Sequence, residues 1–251
     1  MKRIDTLLKE MGIVESRNKA QQMIQEGFVK YQGKVVSKAS QKADKEGIEI
    51  IGQLDYVGRG RRKLQKAFEY FDIKINDKIC IDIGASTGGF TEELLSRGAK
   101  KVYAVDVGQN QLHSKLRNDP RVVSFEDTDA RDLEQLHLGK IDFGTMDVSF
   151  ISIRKILPKI IDIFHHFEML VLVKPQFESQ GKFVNTWEHH QRILDDLVEF
   201  LEEEGFILSD MWYSEFVGSE GNIEYFFHLT REEGPSVYRK NLAQIAFKQL
   251  H

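Results

Sequence analysis

Apolar positions recur at helical spacing twice near the start of the chain. In "RIDTLLKEMG", Ile4, Leu7, Leu8 and Met11 fall on one face; "SRNKAQQMIQEG" predicts a second helix, capped by Ser16 and stopped at Gly27. Short β-like pieces follow, "FVKYQGKVV" and "GIEII", the first bent at Gln32-Gly33. The pattern predicts a helix-helix-hairpin module with a thin core. In "LDYVGRGRRKLQKAFEYF", Gly58 and Gly60 loosen the chain before a helical stripe of Leu64, Ala67, Phe68 and Phe71. A boundary is therefore expected near Val57, with residues 1–57 as one domain, 58–251 as another, and 58–63 as the linker.

From Lys78 onward the rhythm changes. Apolar strand candidates at Ile79 to Asp82, Val102 to Asp106, Val122 to Phe125, Ile141 to Asp147 and Met169 to Lys174 alternate with helical stretches, which predicts a doubly wound, mainly parallel α/β sheet. "FILSDMWYSEF" and "NIEYFFHLT", separated by a glycine-containing turn, read as an antiparallel hairpin that ends the sheet.

A chain of 251 residues with 41% hydrophobic positions can form one large or two modest folded domains. Apolar runs such as "MLVLV" fall far short of the roughly 20 residues of a spanning helix, and "MKRIDTLLKE" lacks the apolar centre of a signal peptide, so a cytoplasmic protein without a membrane partner is expected. The single cysteine, Cys80, reads as a packing residue inside a strand. The histidines show no metal-ligand spacing; His165-His166 and His189-His190 read as solvated, and no metal site is expected. Charge is uneven. Met1 to Lys66 carries 15 Lys and Arg against 8 Asp and Glu, a net of +7, while the remainder carries 20 against 31, a net of −11. A basic module of this size suits a polyanion, whose condensed counterions it would release.

Ligands of an open parallel sheet bind beyond the carboxyl ends of its strands. Polar residues gather there: Asp82 and the turn Gly84, Ala85, Ser86, Thr87, Gly88, Gly89 after the first strand, Asp106 after the second, Asp147 after the fourth and Lys174 after the fifth. "GASTGG" departs from the dinucleotide fingerprint at Ser86, where a second glycine would let a pyrophosphate approach, and it lacks the Gly-Lys-Ser/Thr of a P-loop. A cofactor without phosphates fits better, with its amino-acid end on the turn and its ribose on Asp106. That chemistry points to S-adenosyl-L-methionine.

The chain resembles the TlyA family of bacterial ribosomal RNA 2′-O-methyltransferases, also described as haemolysins, in which a small S-four-type RNA-binding domain precedes an FtsJ-like methyltransferase domain. The resemblance rests on "RIDTLL", "ESRNKAQQMIQEGFV" and "QGKVV", then "YVGRGRRKL", "DIGASTGGFT", "VYAVDVG", "MDVSFIS", "VKPQFE" and "GNIEYF", in order along essentially the whole chain. It implies a Rossmann-like sheet, a small α+β domain in front, and a catalytic Lys-Asp-Lys-Glu tetrad at Lys63, Asp147, Lys174 and Glu224. Lys174 would take the ribose proton or stabilise the alkoxide, with the acids orienting the lysines. It further implies donor contacts by Asp82, by the residues from Gly84 to Phe90, and by Asp106, Asp129 and Asp147, and RNA contacts by Arg3, Ser16, Arg17, Lys19, Lys34, Arg59, Arg61 and Arg62. Gly58 stands where a serine is common, and Asp129 where many relatives carry asparagine. Phe150, Phe177 and Trp187 are candidates for stacking on a base, although each considered alone reads more readily as a core residue.

The implied function is S-adenosylmethionine-dependent 2′-O-methylation of a cytidine in ribosomal RNA, with ribosomal RNA or ribosomal subunits as partners. A noncatalytic RNA-binding or ribosome-assembly factor is the alternative, and lysis of membranes is disfavoured by the charged helices and the lack of a long apolar segment.

Overall fold

The computed structural model describes residues 1–52, 57–164, 168–179, 184–218, 221–231 and 236–250. The chain divides into two units, Met1–Arg59 and Gly60–His251.

The first unit holds β1 (Lys2–Arg3), α1 (Ile4–Glu10), α2 (Arg17–Gln25), β2 (Val29–Tyr31), β3 (Lys34–Val35), β4 (Lys42–Ala43) and β5 (Ile48–Ile50). Ser16 caps α2 by accepting from the Lys19 amide at 3.2 Å, and Gly27, at φ +72°, takes the left-handed position just past the helix end. Gln32 and Gly33 both have positive φ, as a two-residue hairpin turn requires, and deliver β3 back against β2. Ile4, Leu7, Leu8, Ala20, Met23, Ile24, Val29, Val36 and Ala43 form the thin core. Met11, expected on the buried face of α1, instead lies beyond the helix as its half-exposed C-cap.

The second unit opens with α3 (Gly60–Phe71). Residues 60–63, expected within a linker, are the first turn of this helix, because Leu64, Ala67 and Phe68 bury one face of it and carry helical geometry back through the arginines. There follow β6 (Ile79–Ile83), α4 (Gly89–Ser96), β7 (Lys101–Val105), α5 (Ser114–Arg117), β8 (Val122–Phe125), β9 (Phe143–Met146), α6 (Leu157–Ile163), β10 (Glu168–Val173), α7 (Pro175–Glu178), α8 (Trp187–Glu203), β11 (Ile207–Tyr213), β12 (Tyr225–Thr230) and α9 (Leu242–Leu250).

The sheet order is β11-β12-β10-β9-β6-β7-β8, with β8 through β10 parallel and β12 antiparallel to both of its neighbours. Two features of this order build the site. Strand β6 has β7 on one side and β9 on the other, so the winding reverses at β6 and leaves a crevice beyond its carboxyl end. The returning strand of the hairpin, β12, inserts between β10 and β11, and its register pairs Val173 with Tyr225. The residue after β10 and the residue before β12, Lys174 and Glu224, therefore meet at one end of the sheet.

Cys80 is buried within β6, its thiol pushed up to about 12 by burial. His190, expected to be solvated, is buried instead: it sits on the inner face of α8 with Leu194, Leu197 and Leu201, and its Nδ1 pairs with the Tyr225 hydroxyl at 2.9 Å. The pair His165-His166 lies outside the described residues. Among the described residues no helix is long and apolar enough to cross a membrane.

Candidate active site

The glycine turn after β6 is anchored from two sides. The amides of Gly84 and Ala85 donate to Val105 O at 2.9 and 3.1 Å, and the Asp147 amide donates to Ile83 O at 2.9 Å. Gly84 has φ +82°, and a Cβ there would stand 2.4 Å from the Asp147 carbonyl oxygen, so only glycine lets the turn pass the end of β9. Ser86 and Thr87 are exposed at the tip, while Ala85, Gly88 and Gly89 are covered. Asp106 accepts from the Ser86 and Gly108 amides, each at 2.7 Å, tying the turn to the loop after β7.

Two lysine-carboxylate pairs stand beside this turn. Lys63 Nζ lies 2.5 Å from Glu224 Oε2, and Lys174 Nζ lies 2.5 Å from Asp147 Oδ1. Both lysines are withdrawn from solvent, at 13% and 11% side-chain exposure. Burial raises the Glu224 carboxyl above the ordinary range and the Lys63 charge pulls it back, with Asp147 adding a further upward push. Lys174 also donates to Ser149 Oγ at 3.0 Å. The same ammonium forms its ion pair with Asp147 through Oδ1.

Other expected donor contacts are placed differently. Asp82 is fully buried, accepting from Thr91 Oγ1 at 2.6 Å and Thr145 Oγ1 at 3.0 Å, and burial pushes its carboxyl up to about 6. It braces α4 and β9 from inside. Phe90 is also buried, stacked on Phe226 with centroids 6.2 Å apart, because α4 turns this residue toward the sheet. Asp129 is gripped by the Arg131 guanidinium, which holds its carboxyl below the usual range. Trp187 packs against the core. Phe150 stands 91% exposed at φ +64°, with its ring 5.1 Å from that of Phe177. Sequence reading missed Ser149, although it lies inside "MDVSFIS", and Val107, which follows Asp106 and is 68% exposed.

Among the expected RNA contacts, Arg3 and Arg17 share one carboxylate. Asp5 is fully buried and accepts from Arg3 at 2.9 and 3.0 Å, from Arg17 at 2.9 Å and from Gln21 at 3.2 Å; these bonds, Arg3 foremost, hold it well below the ordinary carboxylate range. Lys34 is exposed on the hairpin, Lys19 pairs with Glu15 at 3.6 Å, and Arg59 donates to Gln25 at 3.3 Å. Arg61 departs from expectation: α3 packs on α4, and the guanidinium is drawn to Glu93 at 3.3 Å and Glu92 at 3.6 Å, which offsets its charge. Arg62 lies over the Phe216 ring at 4.8 Å.

A sequence model described as the FtsJ-like methyltransferase matches residues 56–231, and that of the S4 domain matches residues 2–47. The chain belongs to the TlyA family of FtsJ-like methyltransferases. Within that family it is 45% identical over 237 residues to "Hemolysin A" of Brachyspira hyodysenteriae, covering 90% of this chain and 99% of that one. It is 36% identical over 251 residues to "16S/23S rRNA (cytidine-2'-O)-methyltransferase TlyA" of Mycobacterium tuberculosis, covering 96% and 94%. A solved structure described as a hemolysin from Streptococcus thermophilus superposes with a TM-score of 0.77 at 37% identity, over 99% of this chain and 96% of that one. TlyA membership makes the glycine turn and the paired lysines parts of a methyltransferase fold.

Proposed function

We propose that the protein transfers a methyl group from S-adenosylmethionine to the 2′-hydroxyl of a cytidine in ribosomal RNA, in the cytoplasm, on the RNA or on ribosomal subunits. The observation that carries this reading is the pair of lysine-carboxylate contacts beside the glycine turn, Lys63-Glu224 and Lys174-Asp147. The relative from Mycobacterium tuberculosis, whose printed name states that activity, supports the choice of substrate.

The residues around the turn suit the donor. The part-exposed Asp147 carboxylate would receive its ammonium, Asp106 its ribose hydroxyls, and exposed Val107 the flat face of its adenine. When bound, the sulfonium supplies a methyl already activated for transfer. A ribose hydroxyl is a poor nucleophile at neutral pH, so the protein must orient it and manage its proton. Lys174, held by Asp147 and Ser149, takes that proton when its amine is free or, as the ammonium, stabilises the alkoxide. Lys63, fixed by buried Glu224, adds a second cation that favours negative charge on the attacking oxygen. Phe150, exposed and close to this pair in sequence, receives the face of the target base. Arg3, Arg17 and Lys34 hold RNA phosphates.

Incubating purified protein with ribosomal subunits and methyl-labelled donor, then mapping the RNA by mass, tests the reading. A 2′-O-methylcytidine is expected. Stoichiometric binding with no methyl transfer would instead identify an assembly factor.

A further inference from the structure

Residues 147–153 and helix α7 are joined at three points. Lys174, just before α7, pairs with Asp147 and donates to Ser149. Phe177 lies against Phe150. Glu178, the last residue of α7, accepts from Ser152 Oγ at 2.5 Å and from the Ile153 amide at 2.9 Å. Between these points Phe150 is both strained and exposed: its positive φ costs about 1–3 kcal/mol, and its ring recovers little by burial. Left to itself such a loop would turn the ring onto apolar surface. Something must hold it out.

Glu178 has the features of that restraint. It is a buried acid, and burying a carboxylate is costly unless hydrogen bonds compensate. A contact that only needed packing would be better served by an apolar side chain. A carboxylate offers what an apolar group cannot, two acceptors that fix a side chain and a backbone amide of the neighbouring loop at once.

We propose that Glu178 is a positioning residue for methyl transfer: through Ser152 and Ile153 it locks residues 148–153 so that Phe150 is presented to the target base. This rests on the reading of Phe150 as the base contact. Glu178 itself touches neither RNA nor donor. Its effect is transmitted through the loop, and a misplacement of about 1 Å at a reacting group can cost on the order of 100-fold in rate.

The test compares Glu178→Ala, Glu178→Gln, Phe150→Ala and the Glu178→Ala/Phe150→Ala double variant by single-turnover methyl transfer at saturating RNA and donor, and follows backbone hydrogen exchange across residues 148–153. Glu178→Ala is expected to slow transfer about 10- to 100-fold with unchanged donor affinity, and to speed exchange in the loop. Glu178→Gln, which can still accept from Ile153, should restore most of the rate. In the Phe150→Ala background the Glu178→Ala change should add less than about threefold, because both act through one contact. Wild-type loop exchange in Glu178→Ala, or losses that multiply in full, would overturn the proposal. Rapid exchange in Glu178→Ala combined with a wild-type rate for Phe150→Ala would overturn the base-contact reading and this proposal with it. A wild-type protein that transfers no methyl group overturns the proposed function, while the exchange measurement still reports on the loop. If Glu178→Ala does not fold, Ser152→Ala removes one arm alone and is judged by the same outcomes.

Discussion

Both units of the protein join cations to carboxylates, and they do so in opposite senses. In the first, the acid is buried and the cations face out: Asp5 is inaccessible while Arg3 and Arg17 keep 45% and 50% of their side chains exposed. At the candidate site of the second, lysine and acid are withdrawn together in Lys63-Glu224 and Lys174-Asp147. The first arrangement stiffens two guanidiniums and leaves donors free for phosphate, which suits recognition of a polyanion. The second takes most of both partners out of water, into surroundings where a charge acts strongly on a nearby oxygen and a proton can be moved with little solvent reorganisation. In the proposed function the same residue types serve grip in one unit and chemistry in the other.

The strongest way to break the contrast is at the turn beside the lysine pairs. Gly84→Val forces a branched side chain onto the Asp147 carbonyl at a positive φ, so donor binding should vanish and stability should fall on the order of 3 kcal/mol. Calorimetric titration with S-adenosylmethionine beside urea unfolding checks both; wild-type affinity would remove the turn from the site. Replacing Arg3 and Arg17 with alanine in an Asp5→Asn background, so that no buried carboxylate is left unpaired, should act on grip, weakening RNA affinity about 10- to 100-fold and flattening its dependence on salt by about 1.5 in logarithmic slope. The single-turnover rate at saturating RNA should not change. A salt slope equal to wild type would count against these arginines as phosphate ligands.

The smallest effect concerns the two buried aspartates, whose partners differ in charge. Asp82, among threonine hydroxyls, keeps its proton in the folded sheet up to about pH 6, whereas an unfolded aspartate ionises near 4. The folded state binds more protons between those values, so the Asp82 contribution is full below about pH 4 and is lost as pH rises through 6, on the order of 2 kcal/mol. Asp5, on two arginines, is shifted the other way: its contribution is present above the ordinary aspartate pKa and is lost as pH falls below it. Trp187 and Trp212, the two tryptophans, both lie in the second unit, so their fluorescence in urea reports that unit. Asp82→Asn should flatten its response between pH 4 and 6; an unaltered slope would show that Asp82 does not ionise there.

The strands of the second unit were legible because each is a short apolar run ending at a polar residue, and the Gln32-Gly33 hairpin because its turn chemistry is local. The insertion of β12 beside β10 was not, since a hairpin can join a sheet by either strand and the choice depends on distant packing. The same reason explains the side chains that turned elsewhere. Asp82 points at Thr91 and Thr145, which come from different elements, and Arg61 is held by Glu92 and Glu93 only because α3 lies on α4. Phe150 looked like a core residue by composition, and its exposure follows from a backbone conformation that no residue type in "DVSFIS" announces.

The division between grip and chemistry meets its most direct test at Lys174. With RNA and donor binding first shown to be intact, single-turnover methyl transfer by Lys174→Ala should be at least about 100-fold slower than wild type, and Lys174→Arg should also be slow, because a guanidinium stays protonated and its planar fork misplaces the charge. A near-wild-type rate for the alanine variant would contradict the account.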